Sequence, residues 1–400
     1  QGADAIHPGY GFLSERADCA RACAAAGVRF IGPTPEQLAL LGDKAQARAL
    51  AGRCGVPLLP GSPGAVTLAE AQAFLAAQCG AGVMLKAIGG GGGRGMRAVR
   101  SADELAAAYE RCRNEARAAF GVDGVYAERL MERARHIEVQ VLGDGHDVIA
   151  LGERDCTLQR RFQKLVEIAP SPALHDGLRQ QLVAAALRMA RAVRYEGLGT
   201  FEFLVDAASA DLPFVFIEAN PRLQVEHTVT EEVFGVDLVQ AQIQLAAGKD
   251  LRALGLDPPA PPAPRGVAIQ WRINAETLST TGNAMPGSGQ FTRFDLPSGP
   301  GIRVDTHGAA GATPSPHYDT LLAKLVVHAR GGFAAALRRS QRALAEFGID
   351  GVATNLALLR ALAERPEMAR QQVHTRWLEA TLSELLNAIK VIADSADSTR

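Results

Sequence analysis

The spacing of apolar positions changes along this chain, and the changes divide it. Residues 1–60 alternate short apolar strands with helices: AIHPGYGF, a helix closing near Gly27, VRFIG, then a helix from Asp43 to Gly55 and VPLLPG. Strands that alternate with crossing helices predict parallel pairing. From about residue 65 the texture shifts. VMLKA (83–87) and MRAVR (96–100) read as two strands flanking a run of glycines, and Ser101-Ala-Asp-Glu104 has the form of a capping box opening a helix to about Ala119. VYAERLM, HIEVQVLG and DVIALGE read as strands, the second with clean period-two alternation, and 176–194 is spaced as an amphipathic helix ended near Gly197. DPPAPPAP (257–264) is a proline-rich connector that fits neither helix nor central strand. Beyond it VAIQWRINAE, GQFTRF, GIRVD and LLAKLVVHA predict an antiparallel sheet followed by two helices, and DSADSTR a frayed polar tail. No internal repeat interrupts the pattern.

Composition narrows the class. The 400 residues are 47% hydrophobic and 21% charged, an ordinary globular balance with length for two to four domains. A net charge of −1 supplies no field to recruit nucleic acid or an anionic membrane, and 5% aromatics argues against base-stacking surfaces. No apolar run reaches the length of a membrane span. Six scattered cysteines suit a reducing, cytoplasmic compartment, and Cys19 and Cys23, one helical turn apart, read as core residues. The chain opens on Gln1 with a strand already under way, as the interior of a longer protein would.

Residues 86–96, KAIGGGGGRGM, raise the question of a phosphate loop. A dinucleotide fingerprint must open a helix directly, whereas MRAVR intervenes here; a Walker A loop must end in G-K-[ST], whereas this one ends Arg94-Gly95-Met96. What is left is a hairpin with a pliable tip. Glycine lets backbone N–H groups approach phosphate oxygens, and Lys86 would add a point charge. A plain solvent loop is the alternative.

The stretch TFEFLVDAASADLPFVFIEANPRLQVEH (200–227) reads as two strands joined by a turn around Ala207–Pro213. Paired as a hairpin, it makes Glu202 a cross-strand neighbour of Glu218, with Asn220 on the same face. Two carboxylates and an amide oxygen beside substrate phosphates suit Mg²⁺. If the strand continues, Glu218, Asn220, Arg222, Gln224 and Glu226 share one face, giving a metal site, an anion-binding arginine and a carboxylate base in sequence. A solvated polar face is the plainer alternative. In ERDCTLQRRFQK (153–164), Arg160, Arg161 and Lys164 form either an anion pocket or a surface basic patch.

Taken together, HPGYGFLSE (7–15), GDK (42–44), KAIGGGGGRGM, ERDCTLQRRFQK, GTFEFL (199–204), FIEANPRLQVEH (216–227) and RINAE (272–276) resemble the biotin carboxylases of the ATP-grasp superfamily, from residue 1 to about 385. The resemblance implies an α/β (α+β) chain: an ATP-grasp fold with a truncated N-terminal Rossmann-like parallel sheet and a C-terminal antiparallel sheet plus helices. It divides the chain into the remainder of an N-terminal domain (1–60), a small lid subdomain (61–130), a large subdomain (131–256), the connector (257–264), a C-terminal domain (265–385) and a tail or linker start (386–400). The implied activity is ATP-dependent carboxylation of biotin on a carrier, through carboxyphosphate formed from bicarbonate, with Mg²⁺ or Mn²⁺ as cofactor.

Carried over by motif, Lys44 and Lys86 bind phosphates, Gly92 and Gly93 lie in the lid, and Glu128, Arg129, Leu130 and Met131 form the hinge at adenine. His136 and Gln159 complete the ATP site. Glu202, Glu218 and Asn220 hold the metal. Lys164, Arg222, Gln224 and the Val225 backbone bind bicarbonate; Glu226 is the base; Arg272 stabilises the biotin enolate, with Tyr10 also on the biotin side. Phe162 departs from a position usually occupied by histidine, Ile168 from a usual glutamate, and the 207–213 turn is longer than common. Nothing resembles the A-M-K-M attachment site, so biotin is expected on another domain or subunit, with a carboxyltransferase as further partner and a homo-oligomer formed through the C-terminal domain near Arg303 and Asp319. An ATP-grasp ligase for another acceptor, and a non-catalytic ATP-binding regulatory copy, are the alternatives.

Overall fold

The computed structural model describes residues 2–88, 95–121, 123–206, 213–279, 283–315 and 317–397. Gly92, Gly93 and most of the 207–213 turn lie outside these. The chain begins with β1 (Ala5–Ile6), α1 (Ala17–Ala25), β2 (Arg29–Phe30), α2 (Pro35–Gly42) and α3 (Lys44–Arg53). The two short strands pair in parallel, as the alternating pattern predicts. Helix α2 was not predicted, although Thr34 caps it through a reciprocal bond with Gln37 and Pro35 stands at its first turn. Cys23 is buried and Cys19 only partly so.

A small three-stranded sheet follows, ordered β4-β3-β5, from β3 (Val83–Ala87), β4 (Met96–Val99) and β5 (Val125–Arg129). Helices α4 (Leu68–Ala77) and α5 (Ala102–Phe120) cover it through Ala71, Leu105 and Cys112. The glycine run therefore joins antiparallel neighbours, as expected of a hairpin. Ser101 precedes α5, but its side chain makes no cap bond, so the expected capping box does not form. Glu104 instead accepts from the Arg100 N–H at 3.4 Å.

The large sheet has eight strands in the order β10-β9-β6-β7-β8-β11-β16-β15. Its first five come from β6 (Arg135–Asp144), β7 (Val148–Arg160), β8 (Gln163–Ala169), β9 (Glu196–Val205) and β10 (Phe214–Asn220). Helix α6 (Asp176–Ala192) packs on one face, and α7 (His227–Phe234) and α8 (Leu238–Ala246) on the other. After the prolines come β11 (Val267–Asn274), β12 (Glu276–Leu278), β13 (Ala284–Pro286), β14 (Arg293–Asp295), β15 (Ile302–Thr306) and β16 (Leu321–Ala329). Then follow α9 (Phe333–Glu346), β17 (Gly348–Asp350), α10 (Leu356–Ala363), α11 (Pro366–Ala369) and α12 (Trp377–Asp397).

One expectation changes here: among the described residues the two helices predicted after the sheet are four, and α12 runs into the segment read as a frayed tail. The C-terminal strands form the expected antiparallel sheet, and it continues the large one: β11 pairs antiparallel with β8, Trp271 opposite Val166 and Ala268 opposite Ala169. Period-two alternation marks both strands as half-buried, but nothing local says that they pair across a hundred residues of chain.

Trp271 is the largest fully buried side chain of the core under α9 and α10, and its indole N–H has no hydrogen-bond partner among the described residues. Trp271→Ala should cost about 3–5 kcal/mol in denaturant unfolding. Trp271→Phe should cost clearly less, because it also removes the orphaned donor.

Candidate active site

The register of the large sheet builds the site. Glu202 of β9 stands opposite Glu218 of β10 on one side and Glu138 of β6 on the other, and Glu138 stands opposite Arg154 of β7. A row of three carboxylates thus crosses three strands and ends at a guanidinium. A bulge between Phe216 and Glu218 keeps Glu218 in that row. The strand then stops at Asn220, because Pro221 has no N–H for the ladder.

The face predicted to continue through Glu226 therefore does not exist as a strand. Residues 221–226 turn back, with Arg222 N–H donating to Asn220 O at 2.8 Å, and Glu226 precedes the first turn of α7. The turn reunites those side chains. Arg222 donates to Gln224 Oε1 at 3.0 Å and Asn220 Oδ1 at 3.2 Å, while Gln224 and Asn220 donate to Glu202 Oε1 at 3.0 and 2.6 Å. Arg222 Nε lies 3.0 Å from Glu15 Oε1, without the alignment of a hydrogen bond.

Lys164 is the centre. Its ammonium lies 2.5 Å from Glu138 Oε2, 2.5 Å from Glu226 Oε1 and 3.5 Å from Glu202 Oε1. Arg272 donates from Nη2 to Glu226 Oε2 at 2.9 Å and from Nε to Glu167 Oε1 at 2.5 Å. Arg154, wholly buried, donates to Glu138, Gln140, Thr200 and Thr230. His136 Nε2 stands 2.5 Å from Glu202 Oε2, and Gln159 contacts its Nδ1 at 2.6 Å.

Electrostatics follow the packing. Burial would raise the Glu226 carboxyl, but Lys164, Arg272 and Arg154 outweigh it and hold it well below its ordinary value. Burial opposes the charge of Glu202 too; Lys164 and His136 bring it down to about 2. Burial would lower the Lys164 ammonium, yet its neighbours Cys156, Glu138, Glu202 and Glu226 raise it well above its ordinary value. Burial pushes the Cys156 thiol well up, so at neutral pH it is uncharged and the carboxylates carry that effect.

Other predicted residues fall elsewhere. Lys44 opens α3 and lies 3.6 Å from Glu218 Oε2, so it belongs to the row. Lys86 reaches Glu128 Oε2 at 2.5 Å, and Arg48 reaches the other oxygen at 2.6 Å. The Glu128 carboxylate is thus buried between two cations and held below its ordinary value despite its burial. Arg129 turns away to Gln78, Leu130 is buried, and Met131 is half-buried. Tyr10 is 45% exposed and joins no hydrogen bond or ion pair of the cluster among the described residues. Val225 contributes its carbonyl to Lys324 at 3.2 Å.

The basic cluster of 153–164 separates. Arg160 pairs with Glu276 at 2.8 Å and Arg161 reaches Asn283, so only Lys164 enters the site. Phe162 and Arg161 form the two-residue turn between β7 and β8, both in the left-handed region at φ 65° and 48°. Glu138, Arg154 and Glu167 were not singled out by sequence. For Glu138 a signal existed: His136, Glu138 and Gln140 alternate against Ile137, Val139 and Val141.

Models of the biotin carboxylase N-terminal and C-terminal domains match residues 1–38 and 270–380, and the ATP binding domain of the carbamoyl-phosphate synthase L chain matches 43–254. A biotin carboxylase of Nostoc is 46% identical over 378 residues, 94% of this chain and 82% of that protein. The chain belongs to the biotin carboxylase family. The biotin carboxylase domain of a single-chain bacterial carboxylase superposes with a TM-score of 0.84 at 52% identity, covering 97% of this chain and 83% of that one. The biotin carboxylase domain of Hydrogenobacter thermophilus 2-oxoglutarate carboxylase, in complex with MgADP, ADP and bicarbonate, superposes at 0.88 with 41% identity, covering 96% and 83%. Pyruvate carboxylase 1 of Caenorhabditis elegans is 48% identical over 94% of this chain, which spans only 32% of that protein. This chain thus spans about a third of the length of the curated pyruvate carboxylases it matches. Among the described residues no helix is long and apolar enough to cross a membrane.

His227, next to Glu226, donates from Nδ1 to Gln224 O at 2.7 Å; burial and then Lys324 lower it to about 4. The unfolded chain binds that proton near pH 6.5, so stability present above this value should fall as pH drops toward 4. The loss should reach roughly 3 kcal/mol, and His227→Gln should flatten the slope of unfolding free energy in that window.

Proposed function

We propose that this chain catalyses the ATP- and bicarbonate-dependent carboxylation of biotin presented on a carrier domain or protein, releasing ADP and phosphate. The observation that carries the proposal is Lys164 held among Glu138, Glu202 and Glu226, with Arg272 closing the far side of Glu226. Glu226 is the general base. It takes the bicarbonate proton as a bicarbonate oxygen bonds to the γ-phosphorus of ATP and the bond to ADP breaks, giving carboxyphosphate.

Lys164, Arg222, Gln224 and the Val225 backbone bind and orient bicarbonate. An anion entering there draws Lys164 and Arg272 off the carboxylate, which raises the basicity of Glu226 as the proton is transferred. Lys44 and Lys86 bind the phosphates. His136, Gln159 and the strand end Glu128–Met131 complete the nucleotide site. Carboxyphosphate then breaks at its C–O bond to CO₂ and phosphate; the phosphate takes the N1 proton of biotin, and Arg272, with Tyr10 on the biotin side, stabilises the resulting enolate as N1 bonds to CO₂.

The residues fit a divalent cation. Glu138, Glu167, Glu202 and Glu226 face Lys164, Arg154 and Arg272, leaving one negative charge in excess. Donor atoms of His136, Glu138 and Glu202 lie within 4.8 Å of one another. Glu202, Glu218 and Asn220, its amide turned oxygen inward, would hold the ion. When bound, Mg²⁺ or Mn²⁺ neutralises phosphate charge and aligns the γ-phosphate.

A carboxyltransferase domain or subunit follows from the larger carboxylases among the relatives, and we propose a homo-oligomer formed through the C-terminal domain. The six free thiols support a cytoplasmic setting. The named relatives do not favour a ligase for another acceptor or a non-catalytic copy.

ATP cleavage should depend on bicarbonate, rise with free biotin and stop with a chelator. Glu226→Gln should lower it by roughly 10²–10⁴-fold. ATP binding without any response to bicarbonate or biotin would overturn the assignment.

A further inference from the structure

One buried carboxylate beside the site has no role above. Glu167 lies in β8 and is 0% exposed. Its Oε1 accepts from Arg272 Nε at 2.5 Å and its Oε2 from Gln270 Nε2 at 2.9 Å. Gln270 Oε1 accepts in turn from Thr228 Oγ1 at 2.5 Å. Thr228 belongs to the first turn of α7, directly after Glu226 and His227. The chain of side chains Thr228, Gln270, Glu167, Arg272, Glu226 therefore leaves and returns to the start of one helix, passing through β11 and β8.

A guanidinium is planar, and engaging Nε and Nη2 on two different carboxylates fixes that plane. Glu226 cannot fix it alone, because a base must let its partners go when it takes the proton. Glu167 has no such duty. Its second oxygen is held by an amide whose own oxygen is held by a hydroxyl, so each acceptor has its donor and the carboxylate cannot turn.

We propose that Glu167, oriented by Gln270 and Thr228, is a positioning residue that keeps Arg272 aimed for the biotin step while Glu226 changes charge. The proposal rests on the biotin carboxylase reading above. Without Glu167 the guanidinium has Glu226 as its remaining anchor and follows the base instead of the substrate.

The test measures bicarbonate-dependent ATP cleavage and carboxylation of free biotin separately, in the full chain, for wild type, Glu167→Gln, Arg272→Ala and the double variant. Glu167→Gln should lower biotin carboxylation about ten-fold more than ATP cleavage, and should add less than about two-fold in the Arg272→Ala background. Equal loss in both reactions, or an undiminished loss without Arg272, would overturn the proposal. If Glu167→Gln does not fold, Thr228→Val carries the test, with a few-fold loss confined to the biotin reaction expected and no selective loss overturning it. A wild-type chain that cleaves ATP but never carboxylates biotin would remove the parent reading before any substitution is compared, and this assignment with it.

Discussion

The ammonium of Lys164 is what allows the carboxylates around it to exist as a group. Buried acids repel one another and resist ionisation, and pairing reverses both effects when the cation lies within hydrogen-bond reach of each. Lys164 does this for Glu138 and Glu226 at 2.5 Å, and Arg154 and Arg272 hold the outer ends. Removing the lysine would leave adjacent buried charges facing one another, so its loss would disturb the site's shape as well as its chemistry.

The sheet supplies the spacing that this balance needs. Adjacent strands sit about 4.8 Å apart, so residues in register across β6, β9 and β10 place their carboxylates close enough to share a cation. The helices contribute termini: α3 begins at Lys44, and α7 begins directly after Glu226. Backbone architecture sets the separations, and side chains of fitting length complete the contacts.

Much of this was legible in the sequence, for physical reasons that differ by residue. The hairpin of β9 and β10 could be read from the sequence, because pairing between consecutive strands is local, and so could the strand–glycine–strand hairpin and the parallel pair at the front. The bulge that completes the alignment of Glu218 with Glu202 could not. The convergence of Arg222, Gln224 and Glu226 was expected for the wrong geometrical reason, since Pro221 ends the strand and a turn does the gathering. Glu167 went unremarked because its partner Arg272 lies on a strand far away in sequence, whereas Glu138, whose partner Arg154 is on the next strand, left a signal in its alternation that was not taken up. Lys86 was read as a phosphate ligand from its place before the glycine loop and Glu128 was placed at the nucleotide by likeness, and neither pattern nor spacing reveals that the two ion-pair with each other. Arg160 and Arg161, adjacent to Phe162 in a tight turn, diverge because a two-residue turn sends neighbouring side chains to different faces.

The pairing of β8 with β11 has a further consequence. Lys164 lies on the first of these strands and Arg272 on the second, so hydrogen-bonded neighbours carry groups from either side of the proline-rich connector. The connector cannot act as a hinge between them, because any relative rotation would have to break the ladder. Slow amide exchange should therefore extend without a break across the two strands, as one cooperative unit. The small β4-β3-β5 sheet shares no strand with the large sheet and lies outside that ladder.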